Sequence, residues 1–521
     1  MAEVPQRLRG LTRRGLLKAG GGIVLGAGAS SLAACSAESG SSSGPGGAGT
    51  SSASSSDSTS PSDSQLLQFR SRPDLHPVAM EVMTNRGGTA PGLIILGTYA
   101  NIDGQQGPMI VDTQGELVWF RPLSSHASGG LRPFNVRVQE YQGQQVLTWF
   151  QGAVVNGHGQ GSYVIADSSY QSMGKVSAGN GYKGDLHEFL ITDAGTALFT
   201  CYGDVYADLT AVGGATKGHY FNGVLQEVDI ATGKVVFQWK CDEHIDLAES
   251  YAPVSNSTSQ WWDPFHINCI NVASDGNLIV SCRNTWTVYK IERPSGKILW
   301  RLGGKKSDFA IGSGANFEWQ HNVTPQPGGR LTVFDNGAGD THVEPESRGL
   351  LLDVDEQKRT VKLVQDFLHS PPVSASALGS VQILPDDHVF VGWGTSPYAS
   401  EYLPDGTVIY DLKFEGPSTR SYRAFRSEWT GRPWGVPALA VERVSAGMNL
   451  YVSWNGDTEV RHWKVLLGSA SGSLSGDTVV SREGFETTIK VARQARYVAV
   501  AGLNADGQEL GRSSIHQFPS A

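Results

Sequence analysis

The sequence predicts an all-β protein, namely a six-bladed β-propeller followed by a C-terminal β-sandwich of the fibronectin type III type. Glycine is abundant, with 64 among 521 residues, against a usual share of about 7%. Charged residues make up only 17%, where an average soluble domain has about 25%. Apolar segments separated by glycine turns also recur along the chain. Helical bundles, coiled coils and acidic disordered chains do not fit this composition.

Residues 1–35 are predicted to be an export signal. The pair Arg13-Arg14 forms a twin-arginine motif, and an apolar run over residues 19–34 follows it. The run is shorter than the roughly 20 residues that span a bilayer, so it indicates a signal peptide. Residues 32–35 are similar to a lipoprotein box in which Cys35 carries the lipid. We therefore expect twin-arginine export and an anchor on the outer face of the cell membrane, with secretion as the alternative.

Residues 36–64 are predicted to be a disordered linker. They are rich in Ser and Gly and contain almost no large apolar side chain, so burial cannot offset the entropy of ordering them. The formal net charge of the whole chain is −9, which argues against a nucleic-acid partner. A local basic pocket for a small anion is compatible with this charge.

Residues 65–433 are predicted to form the propeller. An apolar strand, a glycine turn and a second apolar strand recur in six copies, about 50–60 residues apart. The copies lie at residues 109–119, 163–176, 225–237, 288–300, 350–364 and 401–410. A second hairpin lies between successive copies, which gives four strands per unit, as in a propeller blade. A stacked sandwich is the alternative arrangement.

Residues 434–521 have a different character. Alternating apolar segments around Tyr451, Trp463 and Tyr497 are separated by Gly and Asp turns. This pattern is typical of a small antiparallel sandwich of the fibronectin type III type. We expect this module to serve in packing or presentation rather than in chemistry.

The hairpin around Asp275-Gly276 carries the first candidate site residues. Asp-Gly favours a two-residue type I′ turn, which sets the register of the two strands. In that register Asn268 faces Arg283 and His266 faces Thr285, and all four side chains project from one face of the sheet.

The same register places Cys269 opposite Cys282 on the other face. A disulfide is plausible there outside the cytoplasm, and two buried thiols are the alternative. Cys201 and Cys241 are further disulfide candidates, because sequence does not settle the pairing.

Two neighbouring units repeat the position of His266. His187 and His321 each lie about seven residues before a turn, near the start of the equivalent strand. Because the first strand of each blade lines the central channel of a propeller, we expect the three histidines to converge there with Arg283. The corresponding place in the last unit is Gly379-Ser380, which is predicted to leave room for a substrate.

This cluster predicts an anion site rather than a metal site. Arg283 would oppose a divalent cation, and no carboxylate is assigned to the cluster, so no metal is predicted. Arg offers a planar fork of donors, and His offers N–H donors or a nucleophilic nitrogen.

Several motifs, in order along the chain, resemble the arylsulfotransferase (ASST) family, in its actinobacterial and fungal-like branch. They lie at residues 263–268, 281–285, 300–309, 319–322 and 334–337, and the resemblance spans roughly residues 70–415. The family consists of six-bladed propeller enzymes that pass a sulfuryl group from an aryl sulfate to a phenol through a sulfohistidine. They use neither a nucleotide sulfate donor nor a cofactor.

The resemblance implies a role for each matching residue. His321 matches the nucleophile, and His187, His266 and Arg283 match the residues that bind and polarise the sulfate. The residues implied in substrate binding are Asn268, Thr285 and Asn336. Here the sandwich follows the propeller, whereas better-known members carry one before it, so the oligomeric state stays open.

Three functions compete at this point. The first is sulfuryl transfer between an aryl sulfate and a phenol, both small molecules. The second is a non-catalytic, lipid-anchored propeller that binds a small anionic ligand, and the third is a surface scaffold for an envelope partner. Only the first requires His321 for a reaction.

Overall fold

Almost all regular structure in the described part of the chain is β-strand, which confirms the all-β prediction. The computed structural model describes residues 66–99, 104–124, 130–416, 418–476 and 478–519. The predicted signal peptide, Cys35 and the predicted linker lie outside these ranges. Within them, no helix has the length and apolar character needed to cross a membrane.

The first sheet is completed by a strand from far along the chain. Its strands are β2 (Leu93–Tyr99), β3 (Gly107–Val111), β4 (Leu117–Phe120) and β26 (Arg420–Ser427). Strand β26 runs antiparallel to β2, with Phe425 opposite Ile95. Strand β1 (Met80–Asn85) is not part of this sheet and pairs with β25 (Val408–Phe414). Strands from the two ends of this region therefore pair with each other in two different sheets.

The next two units merge into one eight-stranded sheet. Its strands are β5 (Arg132–Tyr141), β6 (Gln144–Val155), β7 (His158–Ala166), β8 (Ser172–Val176), β9 (Gly184–Ile191), β10 (Thr196–Ala207), β11 (Gly218–Asp229) and β12 (Val235–Lys240). Backbone pairing joins the two halves where Gly161 of β7 lies opposite Gly184 of β9. A Cβ on Gly161 would lie 2.7 Å from the Cα of Gly152 in β6, so only glycine permits the close approach of β6 and β7 at this point.

Three more sheets complete the series. One contains β13 (Ile267–Val272), β14 (Leu278–Cys282), β15 (Thr287–Ile291) and β16 (Ile298–Gly303). The next contains β17 (Ala310–Ile311), β18 (His321–Gln326), β19 (Arg330–Asp335), β20 (Arg348–Asp355) and β21 (Thr360–Leu368). The last contains β22 (Ser380–Ile383), β23 (Val389–Gly392) and β24 (Tyr398–Tyr402), with β25 and β1.

One strand of each unit contacts its counterpart in the next, in the order β5, β9, β13, β18, β22 and β26, and β26 returns to β5. The starts of these six strands therefore surround one axis. A buried ion pair ties several of them together, since Arg423 of β26 binds Glu188 of β9 at 3.0 Å. Arg423 also donates to the carbonyl of Asn268 in β13, 3.0 Å away.

Two further sheets follow the ring and share one apolar core that includes Leu450, Trp463 and Val500. The first contains β27 (Ala438–Val444), β28 (Gly447–Ser453) and β32 (Glu486–Val491). The second contains β29 (His462–Ala470), β30 (Ser473–Ser475), β31 (Val479–Ser481), β33 (Tyr497–Leu503), β34 (Glu509–Arg512) and β35 (His516–Gln517). Phe485 of this region packs on Phe69 with ring centroids 4.4 Å apart and joins the core of the first sheet.

The register predicted for the β13–β14 hairpin is wrong by one residue. Cys269 pairs with Ser281, not with Cys282. The N–H of Ala273 bonds the carbonyl of Asn277, and Gly276 adopts φ +81°. The Asp-Gly pair therefore belongs to a longer turn with a left-handed glycine, which shifts the pairing.

The prediction that four side chains of this hairpin project from one face of the sheet is also wrong. Asn268 lies at an irregularity between Ile267 and Cys269, and residues Arg283–Thr285 form a short 3₁₀ turn instead of continuing β14. Side chains on either side of these breaks do not alternate as in a regular strand. The four cysteines proposed as disulfide candidates are all buried free thiols: Cys201, Cys241, Cys269 and Cys282.

Candidate active site

The three predicted histidines lie together at the axis of the ring. His187 is in β9, His266 directly precedes β13, and His321 is the first residue of β18. The ring centroids of His187 and His266 are 4.6 Å apart, and those of His266 and His321 are 6.5 Å apart. All three side chains are buried. The repeated position in sequence thus corresponds to one cluster in space.

Two of the histidines are backed by buried carboxylates. Nδ1 of His187 lies 2.6 Å from Oδ2 of Asp185, and Nδ1 of His266 lies 2.6 Å from Oδ2 of Asp263. The expectation that no carboxylate belongs to the cluster is therefore wrong. The signal was present in the sequence, because each acid precedes its histidine by two or three residues.

Both carboxylates favour the ionised form. Burial opposes the charge of Asp185, but His187 outweighs it and lowers the pKa of the carboxyl. Burial likewise opposes the charge of Asp263, and His266 and His158 lower the pKa of that carboxyl. An ionised carboxylate only accepts hydrogen bonds, so each imidazole carries a proton on Nδ1. The Nε2 atoms remain for the centre of the cluster.

His266 itself is neutral near pH 7 in the free protein. Burial lowers its pKa to about 4, with further lowering by His187 and Arg283, although Asp263 acts in the opposite direction. A bound anion would raise this pKa, because opposite charges favour the protonated ring. His266 is therefore suited to gaining a proton when an anion arrives.

His321 is backed by a neutral amide instead of a carboxylate. Its Nδ1 lies 2.7 Å from Oδ1 of Asn336. The amide nitrogen of Asn336 donates to the carbonyls of Ala375 and Leu378, at 2.7 and 3.1 Å, which fixes the orientation of the amide. The proton of His321 is consequently on Nδ1, and the N–H of Leu378 donates to its Nε2 at 3.2 Å.

The electrostatics of His321 keep its Nε2 unprotonated, with its lone pair accepting the hydrogen bond from Leu378. Burial lowers the pKa of His321 well below its usual value, and the positive charge of Arg283 lowers it further. A neutral imidazole with an unprotonated Nε2 is a competent nucleophile.

Arg283 lies over the face of Trp319, with its Cζ 4.6 Å from the ring centroid. It donates to Oδ1 of Asn284 at 2.7 Å and to the carbonyl of Ser376 at 3.1 Å. Asn284 in turn donates to the carbonyl of Asp263. The guanidinium is thus held in one orientation close to His266 and His321, where it can meet an anion.

The three residues predicted to bind substrate have different surroundings. Asn336 supports His321, as described above. Thr285 donates to the carbonyl of Cys282 and accepts from Tyr289, so its hydroxyl is committed to packing. Asn268 donates to the carbonyl of Gln320 at 2.7 Å, while its buried Oδ1 has no partner among the described residues.

The expected space at Gly379-Ser380 is occupied. A Cβ on Gly379 would lie 2.3 Å from the ring of Phe334, and the hydroxyl of Ser380 bonds the carbonyl of Ala424. A side chain from the neighbouring strand therefore takes the place that was predicted to be open.

An open cavity lies on the other side of the cluster, with a volume of about 110 Å³. His266, Arg283, Asp263 and Asn284 line it. One wall is aromatic, since Phe221 and Trp261 stack with centroids 4.8 Å apart. The sequence did not point to Asn284, Phe221 or Trp261. Asn284 and Trp261 lie outside regular strands, and Phe221 lies in β11 before the part of that strand that matches the repeat.

The backbone at the cluster is strained. His266, Trp319, Asn322 and Leu378 have φ between 47° and 69°, a region that side chains other than glycine rarely adopt. Such conformations cluster at functional sites, where the surrounding structure holds them. Here they orient His266 and deliver the N–H of Leu378 to His321.

One group has the spacing of metal ligands: the donor atoms of His158, Asp263 and His266 lie within 4.8 Å of one another, uniquely in the described ranges. Asp263 offers one oxygen to both rings, at 3.0 and 2.6 Å, which is the geometry of a shared hydrogen-bond acceptor. Arg283, which lowers the pKa of His266, would repel a cation. We therefore assign these residues a hydrogen-bonding role.

Comparisons with solved structures give only remote likenesses. A protein of unknown function from Bacteroides caccae is 13% identical, with a TM-score of 0.39, over 64% of this chain and 98% of that chain. A protein from Lactobacillus plantarum is 11% identical, with a TM-score of 0.34, over 77% of this chain and 99% of that chain. Regucalcin from Agrobacterium tumefaciens is 12% identical, with a TM-score of 0.31, over 62% of this chain and 82% of that chain. No inference about this chain rests on likenesses at this level.

The sequence comparison is more specific. No curated protein is significantly similar to the chain. The family model described as Arylsulfotransferase (ASST), however, matches residues 137–415, just over half of the chain. The matched range contains His187, His266, Arg283 and His321. The chain therefore belongs to the arylsulfotransferase (ASST) family.

Proposed function

We propose that the protein transfers a sulfuryl group from an aryl sulfate ester to a phenol, through a sulfohistidine at His321 and without a nucleotide sulfate donor. One observation carries the assignment of roles. Asn336 backs His321, whereas Asp185 and Asp263 back the other two rings. A neutral amide favours protonation of its imidazole less than a carboxylate does, so His321 is suited to act as the nucleophile and His266 to hold a proton.

In the first step Nε2 of His321 attacks the sulfur of the donor. An N–S bond forms, the bond from sulfur to the aryl oxygen breaks, and that oxygen leaves with the electron pair. His266, protonated at both nitrogens once the anionic donor is bound, gives its Nε2 proton to the leaving oxygen. While His321 carries the sulfuryl group, it keeps the proton on Nδ1, which donates a hydrogen bond to Oδ1 of Asn336.

In the second step the oxygen of a phenol attacks the same sulfur. The proton of the phenol passes to Nε2 of His266, the N–S bond breaks, and its electron pair returns to Nε2 of His321. Arg283 stabilises the sulfuryl oxygens in both steps as a fixed donor. His187 adds a second donor, from Nε2, when both of its ring nitrogens carry protons. Nε2 of His187 is suited to this, since it is buried and has no partner within the described part of the chain.

The aromatic wall of the cavity would bind the aryl group of the donor. Phe221 and Trp261 present stacked rings beside His266 and Arg283. Offset stacking favours aromatic over aliphatic esters. A donor bound there would place its sulfate toward His266 and Arg283, the residues of the cluster that line the cavity.

We also propose the finer architecture. The cycle of six strand contacts and the interlocked first sheet support a six-bladed propeller over residues 65–433. The pairing β27–β28–β32 beside a sheet centred on β29 and β33 supports a fibronectin type III-like sandwich over residues 434–521. The order of modules supports the actinobacterial and fungal-like branch.

The location of the protein is likewise a proposal. The twin-arginine motif at Arg13-Arg14 and the lipoprotein box ending at Cys35 support export in the folded state and attachment to the outer face of the cell membrane. Residues 36–64 would then act as the tether.

The proposal is tested with p-nitrophenyl sulfate as donor and phenol as acceptor. The chain from residue 65 onward should release nitrophenol and form phenyl sulfate, and His321→Asn should reduce turnover by about 10³-fold or more. His369→Asn, at a buried histidine away from the cluster, should retain turnover. Saturable binding of the donor without any release by the wild type would instead support the binding propeller.

A further inference from the structure

His158 lies next to the histidine cluster, but it is neither a site residue predicted from the sequence nor part of the proposed transfer steps. It begins β7 and is buried. Its ring lies against Tyr202 and Phe221, with centroids 3.8 and 4.6 Å away. Its Nε2 lies 3.0 Å from Oδ2 of Asp263, the same oxygen that accepts from His266. One carboxylate oxygen is therefore shared by two imidazoles.

We propose that His158 is a positioning residue that sets the charge of His266 by sharing Asp263 with it. Because Asp263 is ionised, the nitrogen of His158 that faces it carries a proton and donates. This second donor reduces the negative charge that His266 experiences, so His266 stays neutral until an anion binds. The catalytic meaning of this device rests on the proposed function, but the charge of His266 is measurable without turnover.

The sign of the effect follows from the charges around His266. The groups that face it are Asp263, His158, His187, His321, Arg283 and Tyr202. Within this set Asp263 favours the protonated ring, whereas Arg283 and His187 oppose it. Removing the hydrogen bond from His158 gives the full charge of Asp263 to His266, so the pKa of His266 rises.

The test uses NMR of protein labelled with ¹⁵N in its histidines, with His266 assigned through His266→Asn. In the wild type, His158 should be protonated on Nε2 and His266 on Nδ1 in the neutral form. His158→Phe keeps a ring between Tyr202 and Phe221 and removes the donor, and it should raise the pKa of His266 by about one unit. His158→Gln places an N–H at the same point and should return the pKa to near its wild-type value.

Three results would overturn the proposal, two from the spectra and titrations and one from a chelator control. The first is a wild-type spectrum with the opposite tautomer on either ring, which is informative even if His158→Phe does not fold. The second is an equal pKa for His266 in wild type and in folded His158→Phe. Repeating the titration with a chelator present should leave these results unchanged, and a change would overturn the hydrogen-bonded assignment. Absence of sulfuryl transfer in the wild type would contradict the proposed function, while the titration would still decide the role of His158.

Discussion

At the scale of single residues, the three histidines differ in the group that accepts the hydrogen bond from Nδ1. Two have a carboxylate as the acceptor, and the third has an amide oxygen. Asp185 and Asp263 accept from Nδ1 of His187 and His266, whereas Asn336 accepts from Nδ1 of His321. Burial and Arg283 lower the pKa of His321, so its Nε2 stays unprotonated. Arg283 completes the cluster from a 3₁₀ turn, where it lies over Trp319. Two predictions belong to this scale.

The first concerns Arg283. Arg283→Ala should lower kcat/KM for the donor by about 10²–10³-fold, the loss seen when a fixed donor to a developing anion is removed. Arg283→Lys should recover little of this, because an ammonium lacks the planar fork that meets two sulfuryl oxygens. Steady-state kinetics with p-nitrophenyl sulfate measure both variants. Wild-type kcat/KM in Arg283→Ala would show that the guanidinium does not contact the donor.

The second concerns pH and the leaving group. The pKa of His266 is about 4, so this ring is neutral between pH 7 and 5 in the free protein. The pKa of His321 also lies well below its usual value, because the ring is buried and close to Arg283. With p-nitrophenyl sulfate, whose phenolate leaves without a proton, kcat/KM should be level over this range. With phenyl sulfate, which needs the acid, kcat/KM should rise as the pH falls toward 4, because more of His266 is protonated. A fall near pH 6.5 with both donors would contradict the assignment.

Part of the site was predictable from residue types and spacing. His187, His266 and His321 share a position in a repeating unit, and that periodicity is visible in sequence. Asp263 precedes His266 by only three residues, yet no rule of strand geometry assigned it to the cluster. His158 was not predictable, because its link to Asp263 joins positions 105 residues apart.

At the scale of elements, the turn that enters β22 positions His321, the proposed nucleophile. Leu378 donates to Nε2 of His321, and its carbonyl accepts from Asn336. Gly379 follows at φ +108° with the Phe334 ring against it. The turn and the histidine therefore form one hydrogen-bonded unit.

Gly379→Ala should disturb this unit. Its Cβ would lie 2.3 Å from Phe334 at a φ of +108°. We expect a loss of about 2–4 kcal/mol in the free energy of unfolding from crowding and backbone strain together. Gly195→Ala is the control, because Gly195 has φ +73° and open space around it, and it should lose only about 1–2 kcal/mol. Urea unfolding measures both, and equal losses would mean that Phe334 moves aside.

The β13–β14 hairpin shows why the register of two paired strands is harder to predict from sequence than the presence of the strands. Asp275-Gly276 fits both a two-residue turn and a longer turn that ends in a left-handed glycine. The choice depends on the packing of the strands, since Cys269 must face Ser281 for Asn268 to reach Gln320. Local sequence does not contain that information.

At the scale of the whole molecule, the ring and the C-terminal sheets share buried side chains. Phe485 packs on Phe69 and belongs to the core of the first sheet. Tyr170 of the ring donates to the carbonyl of Gly456 at 2.8 Å. The strand pattern in the sequence predicted both the ring and the C-terminal sheets. It did not predict the pairing of β26 with β2, because this pairing joins chain segments over 300 residues apart and has no local signal.

Phe485→Ala should therefore weaken the link between the two regions. We expect a loss of about 3–5 kcal/mol, as for other buried phenylalanines, and a thermal transition that separates into two. Val479→Ala is the control, because Val479 is largely exposed in the same region, and it should leave the transition unchanged. Calorimetry measures both variants, and a single unshifted transition in Phe485→Ala would contradict the coupling.

The most direct test of the central claim is to isolate the intermediate on His321. The protein is mixed with p-nitrophenyl sulfate without an acceptor, quenched at high pH and digested for mass spectrometry. We predict a gain of one SO₃ group on the peptide that contains His321, loss of that gain when phenol is added before the quench, and no gain in His321→Asn. Turnover to phenyl sulfate with no modified peptide, or with the group on another histidine, would contradict the account.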